Sequence, residues 1–159
     1  MDSWLADFHQ IVGTGTERLA VISEHQAGLS PAEGKWSPKQ IIGHLIDSAA
    51  NNHQRFVRGQ FTDDLVFPGY EQEAWVRVQH YNDQPWLQLV EFWRLYNLHL
   101  LHVMTNVPAP VLTKLRHPHS LKTIAWKTVS ADEPVSLEYF MRDYVAHLQH
   151  HLDQIFALL

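Results

Sequence analysis

Residues Ser136 to Leu159 read SLEYFMRDYVAHLQHHLDQIFALL, and this stretch decides the fold. At 100° per residue, Leu137, Met141, Tyr144, Leu148, Leu152, Ile155 and Leu159 fall on one stripe, the face of a helix that packs on a core. His147 and His151 are four apart, so they stack on one side of that helix, on the flank of the stripe beside Phe140 and Tyr144. His150 points almost opposite to Leu148 and is expected in solvent. Spacing therefore selects the pair His147 and His151 from the three histidines.

A second helix is announced by Ser37-Pro38-Lys39-Gln40, with an N-cap serine, a proline at the first helical position and a glutamine three residues after the cap. It runs to about Arg58, where Gly59 ends it. Ile41, Leu45, Ala49, Asn52 and Phe56 define its buried side. His44, Ser48, Asn51 and Arg55 form a polar row beside it, the pattern of a partly enclosed polar cavity. Asp47, three residues after His44, is placed to orient an imidazole.

Two more segments carry helical periodicity. Ser3 to about His25 places Trp4, Phe8, Ile11, Val12, Leu19 and Ile22 at helical spacing, with Gly13 and Gly15 predicting a bend. The other opens at Asp83-Gln84-Pro85 and is stopped by Val107-Pro108-Ala109-Pro110. Its apolar residues surround much of its circumference, which predicts a second packing partner, most simply another copy of the chain. Between the helices, residues 60–83 are irregular except for a short helix from Tyr70 to His80. Residues 107–134 form the longest stretch without a helical period, with an extended piece expected at Thr123 to Val129; substrate choice is expected to reside in this connection. The whole chain, 1–159, reads as a single all-α domain, a four-helix bundle with long 2–3 and 3–4 connections.

The composition narrows the function. Lys plus Arg number 12 against 17 Asp plus Glu, a net charge of −5, without the basic footprint of a nucleic-acid binder. No apolar run approaches the roughly 18 residues of a membrane span, and Met1-Asp2-Ser3-Trp4 opens no signal peptide, so a cytoplasmic location is expected. Cysteine is absent while histidine numbers 12, so any transition-metal site must be built on nitrogen. Two imidazoles at i and i+4 can chelate one ion. No glutamate stands between them, so the metalloprotease motif fails on its general base. A catalytic centre needs a third ligand and an open position, and His44 is the obvious third. A fourth ligand from His80, His99 or His119 would instead close the site; an empty polar cavity would leave an interaction module.

The blocks Lys35-Trp36-Ser37-Pro38-Lys39-Gln40-Ile41-Ile42-Gly43-His44-Leu45-Ile46-Asp47, Tyr70-Glu71-Gln72-Glu73-Ala74-Trp75-Val76 and Tyr144 to Ile155 resemble the DinB-like superfamily in their joint order. The resemblance implies a four-helix bundle, usually dimeric, binding one divalent metal (Zn, Ni or Fe) through His44, His147 and His151. It implies a small-molecule substrate and a metal-dependent enzyme. Transfer of an external low-molecular-weight thiol of the bacillithiol type is the leading expectation. A metal-dependent hydrolase, or a non-enzymatic, stress-associated metal-binding dimer, is the alternative. Arg55 is the candidate for holding an anionic group, with Asn51 and Tyr144 as candidate hydrogen-bonding partners in catalysis.

Overall fold

The computed structural model describes residues 3–159; Met1 and Asp2, at the start read as leaderless, lie outside it. Helix α1 spans Ser3–Ala20 and a single turn, α2, spans Glu24–Ala27. Then come α3, Pro38–Arg58; α4, Gln72–Gln79; and α5, Trp86–Thr105. Two short helices follow, α6, Ala109–Thr113, and α7, Leu121–Ile124, before the last long one, α8, Leu137–Phe156. The described residues contain no strand, only isolated bridges Leu65↔His119 and Arg116↔Val135.

The four long helices close a ring in which α1 neighbours α5 and α8, and α3 neighbours the same two. Side-chain contacts give their directions. Lys39 donates to the Gln84 carbonyl where α3 and α5 begin, and His53 meets Tyr96 further along both, so these neighbours are parallel. His44 meets His151 while Phe56 meets Phe140, so α3 and α8 are antiparallel. Trp86 donates its indole N–H to the Leu19 carbonyl, so α1 and α5 are antiparallel too. Parallel neighbours cannot be joined by a short turn, which is why residues 59–85 must return along the bundle. Residues 106–136 then cross between α5 and α8, which are not adjacent in the ring. These two connections bind each other: the Leu65 N–H donates to the Pro118 carbonyl at 2.9 Å and the Ser120 N–H to the Leu65 carbonyl at 3.1 Å.

Local chemistry explains most boundaries. Ser37 and Gln40 form the expected capping box at α3. The start of α5 differs from the Asp83 cap read in the sequence. Pro85 is the N-cap and provides no side-chain cap; instead the Glu24 carboxylate accepts the Trp86 N–H at 2.8 Å. Glu24 also pairs with the buried Lys39 ammonium, so one carboxylate joins α2, α3 and α5. The first segment ends at Ala20 rather than His25, because Ser23 caps the separate turn α2. No break occurs at Gly13 and Gly15, where α1 is continuous; a Cβ at Gly15 would lie 3.1 Å from both Leu152 and Trp93, so that glycine serves close packing. The extended piece expected at Thr123–Val129 is absent. Ser120 instead opens the turn α7, and the backbone N–H groups of Trp126 and Lys127 are drawn onto Asp143 at 2.8 Å each.

Candidate metal centre

Helix α3 presents His44 and helix α8 presents His147 and His151 from the facing wall. The ring centroids lie 5.2 Å (His44–His147), 4.7 Å (His44–His151) and 4.6 Å (His147–His151) apart. One nitrogen from each ring lies within 4.8 Å of the others, and among the described residues no fourth His, Asp or Glu joins the group. His44 and His147 approach Nε2 to Nε2 at 3.3 Å. Two nitrogens sharing one tetrahedral cation at 2.0–2.1 Å stand about 3.3–3.4 Å apart, so the donor set fits such an ion. His80, His99 and His119 are elsewhere. His119 is committed to Glu133 and Leu121, and His99 packs against His53.

Burial sets the protonation state. It pushes the His44 imidazole down to about 3, with His151 adding repulsion, and His147 likewise to about 3. His151 is lowered too, by burial first, while Gln154 acts in the other direction. All three are therefore neutral at pH 7, the form that ligates. Gln154 fixes the tautomer of one ring: its amide oxygen accepts from His151 Nδ1 at 2.8 Å, which leaves the Nε2 lone pair free. Replacing Gln154 with leucine is expected to weaken metal affinity about 10–100-fold at unchanged fold, read by competition with a chromophoric chelator. Unchanged affinity would remove Gln154 from the centre.

The depressed histidines make an acid-stability prediction for metal-free protein. The unfolded chain, with imidazoles near 6.5, binds protons that the folded chain refuses, so this stability is complete above about pH 6.5 and is lost as pH falls toward 3. For His44, which is 1% exposed, the loss by pH 5 is about 2 kcal/mol, at 1.36 kcal/mol per unit. The carboxyls of Asp47 and Asp143 are raised by burial and act oppositely at lower pH, so urea unfolding between pH 7 and 5 is the informative window. Equal stability at both ends would contradict buried neutral imidazoles.

Asp47 does not orient an imidazole. Its Oδ1 accepts from Tyr81 Oη at 2.6 Å and Gln79 Nε2 at 2.7 Å, and both Asp47 Oδ2 and His44 Nδ1 are buried without partners. The carboxylate is captured by Tyr81, whose ring lies directly on Gly43.

Beside the histidines is a cavity of about 330 Å³. Both long connections contribute to it: Tyr70 and Gln72 from the first, Thr123 to Trp126 from the second, facing Ser48, Arg55, Phe140 and Asp143. Of the 107–134 connection, residues 123–126 reach this cavity. Of the candidate catalytic residues, Arg55 lines the cavity and is buried. Tyr144 contributes its ring to the wall, but its hydroxyl donates to Asn97 Oδ1 at 2.5 Å. Asn51 is not in the wall; its amide donates to the Asp47 carbonyl at 2.9 Å, and Asn52 takes the cavity position. One helical residue is 100°, so the row drawn through Asn51 runs too far round the helix. Ser48 was in that row; Tyr70, Gln72, Asp143 and His150 carried no sequence signal for this role, because crossover loops and the opposite helix bring them there.

A profile described as the DinB superfamily matches residues 15–155. The Bacillus subtilis protein named "Putative metal-dependent hydrolase YfiT" is 21% identical over 99% of this chain and 83% of its own length. A Bacillus cereus protein bearing the same description is 20% identical over 49% of this chain and 45% of its own length. The solved structure of the Bacillus subtilis protein, described as having an unusual four-helix bundle topology, superposes with a TM-score of 0.79 at 17% identity. That superposition covers 99% of this chain and 84% of that one.

Proposed function

The chain belongs to the DinB superfamily, and from that premise we propose that it is a divalent-metal enzyme acting on a small molecule, with His44, His147 and His151 as the metal ligands. The observation that carries this reading is the convergence of three neutral imidazoles, without a fourth protein ligand among the described residues, at the edge of a cavity of about 330 Å³. That volume suits a small ligand. A divalent ion held by these three histidines would supply positive charge that lowers the pKa of a water or thiol brought to it.

The residues of the chain set the remaining conditions. Gln154 holds His151 in its ligating tautomer, and burial keeps His44 and His147 from competing for protons. Phe140 and the Ile124–Trp126 segment line one side of the cavity, and exposed His150 stands at its rim. With no cysteine in the chain, a sulfur nucleophile must be an external low-molecular-weight thiol. We favour thiol transfer because Asp143, the acid in the cavity wall, accepts two backbone N–H groups and is poorly placed as a base for water. Hydrolysis is the second reading, favoured by the relatives' names. The proposed location is the cytoplasm and the proposed assembly a homodimer through the outer face of α5, where Leu87, Phe92 and Leu95 are exposed. No helix is long and apolar enough to cross a membrane.

The test is a screen of metal-loaded protein with several small thiols against alkylating electrophiles, beside ester and amide substrates without thiol, always compared with His147→Ala. A thiol-dependent rate lost in the variant supports transfer. A thiol-independent rate lost in the variant assigns hydrolysis. No rate above the variant in either arm overturns the enzyme reading.

A further inference from the structure

Arg55 is 5% exposed, yet among the described residues no carboxylate pairs with it. Its guanidinium donates to the Pro68 carbonyl at 2.8 Å and to Asn52 Oδ1 at 3.3 Å, two neutral acceptors, and lies 5.9 Å from the centre of the Tyr70 ring. Two of its five N–H donors are thereby used. A buried cation without a counter-ion costs several kcal/mol. Buried Lys39, by contrast, pairs with Glu24; buried Arg116 also lacks a carboxylate and donates to the Gly59 and Val111 carbonyls, but of the two arginines Arg55 is the one that lines the cavity beside the histidines. Arg55 lies in the last turn of α3, but a helix dipole contributes about 0.3–1 kcal/mol, too little to stand in for an anion. The acid in the same wall, Asp143, has its oxygens on the Trp126 and Lys127 N–H groups.

We infer that the cavity takes a substrate bearing an oxyanion remote from its reacting bond, and that the Arg55 guanidinium is the receptor for that oxyanion. A planar guanidinium with free donors accepts carboxylate or phosphate in a two-pronged arrangement. Arg55 follows His44 by eleven positions, about three turns, on one continuous helix, and its guanidinium reaches back one turn to Asn52. The guanidinium and the three imidazoles are therefore presented by different turns of the cavity wall, which makes the charged group the tail of the substrate rather than its reacting end. Ser48, Tyr70 and Gln72 line the path between with polar groups.

This inference rests on the cavity being the substrate site, and its test separates the anion receptor from the metal chemistry. The probes are 3-phenylpropionate and phenyl phosphate, with neutral 3-phenylpropanamide as the control, titrated into metal-free wild type, His147→Ala and Arg55→Gln and, in a parallel arm, into metal-loaded wild type. Wild type and His147→Ala are expected to prefer an anion over the amide by about tenfold or more, and Arg55→Gln to lose that preference. Whichever of the two anions binds more tightly identifies the oxyanion as carboxylate or phosphate. Because Arg55→Gln also removes the contact to Pro68, the ¹⁵N side-chain signal of Arg55 in wild type provides a second reading, and it must shift on adding the anion. Equal affinity for anion and amide, a preference that survives Arg55→Gln, or a silent Arg55 signal would overturn the assignment. An anion preference that appears only with metal would place the charge on the ion and equally overturn it. Binding that follows these expectations in a protein without catalytic activity would leave the receptor standing while the enzyme reading fails.

Discussion

His147→Ala is expected to fold and to lose its divalent ion. The side chain is half-buried at the cavity edge rather than in the apolar core, so truncation opens the cavity without removing a packing layer. What disappears is one of three neutral donors, and the remaining pair comes from different helices. The loss in affinity should exceed the 10–100-fold expected for an outer partner such as Gln154. A thermal readout makes this visible without an assay. Metal at about 100 times its dissociation constant stabilises wild type by about 2.7 kcal/mol. For a chain of this size that corresponds to a rise of about 5–10 °C in the unfolding midpoint. The variant should show no rise at the same metal concentration. An equal rise in both proteins would mean that the ion binds elsewhere.

Gly43→Ala is expected to destabilise the protein by about 2 kcal/mol or more, although alanine is the better helix former by about 1 kcal/mol. A Cβ at residue 43 would stand 2.1 Å from Cδ2 of Tyr81, with Cγ and Cε2 at 2.3 and 2.4 Å. That ring is 3% exposed and its hydroxyl is held by Asp47, so it has nowhere to retreat. Because His44 is the next residue, the same substitution should weaken metal binding. Gly13→Ala in α1 is the matched control. No atom lies within 4 Å of its Cβ position, so alanine there should stabilise by about 0.5–1 kcal/mol. Urea unfolding of the two variants should give opposite signs. Matching signs would contradict the packing of Tyr81 on α3.

The contrast between these glycines shows what the sequence could reveal. Helical periodicity and the Ser37–Gln40 capping box are local, so the four long helices and the start of α3 were legible. The pairing of His147 with His151 was legible for the same reason, since four residues is one turn. That His44 meets them depends on α3 and α8 lying antiparallel, which no local pattern contains; the polar row beside the buried stripe of α3 made His44 the candidate, and resemblance to the DinB-like superfamily pointed to the same residue. The cap of α5 by Glu24, the capture of Asp47 by Tyr81 and the tether of Trp126 and Lys127 to Asp143 each join residues distant in sequence. Periodicity cannot show such partners. The choice of Asn52 over Asn51 as the cavity residue turned on a single 100° step, finer than the polar row drawn through α3.

The central claim, that three imidazoles share one ion with a position left for an exchangeable ligand, is tested most directly by X-ray absorption at the edge of the bound metal. Stoichiometrically loaded protein should show three imidazole nitrogens at about 2.0–2.1 Å together with a light scatterer that is replaced when a competing ligand such as a small thiol is added. Fewer than three imidazoles, or a closed set of protein ligands that no added ligand perturbs, would contradict it.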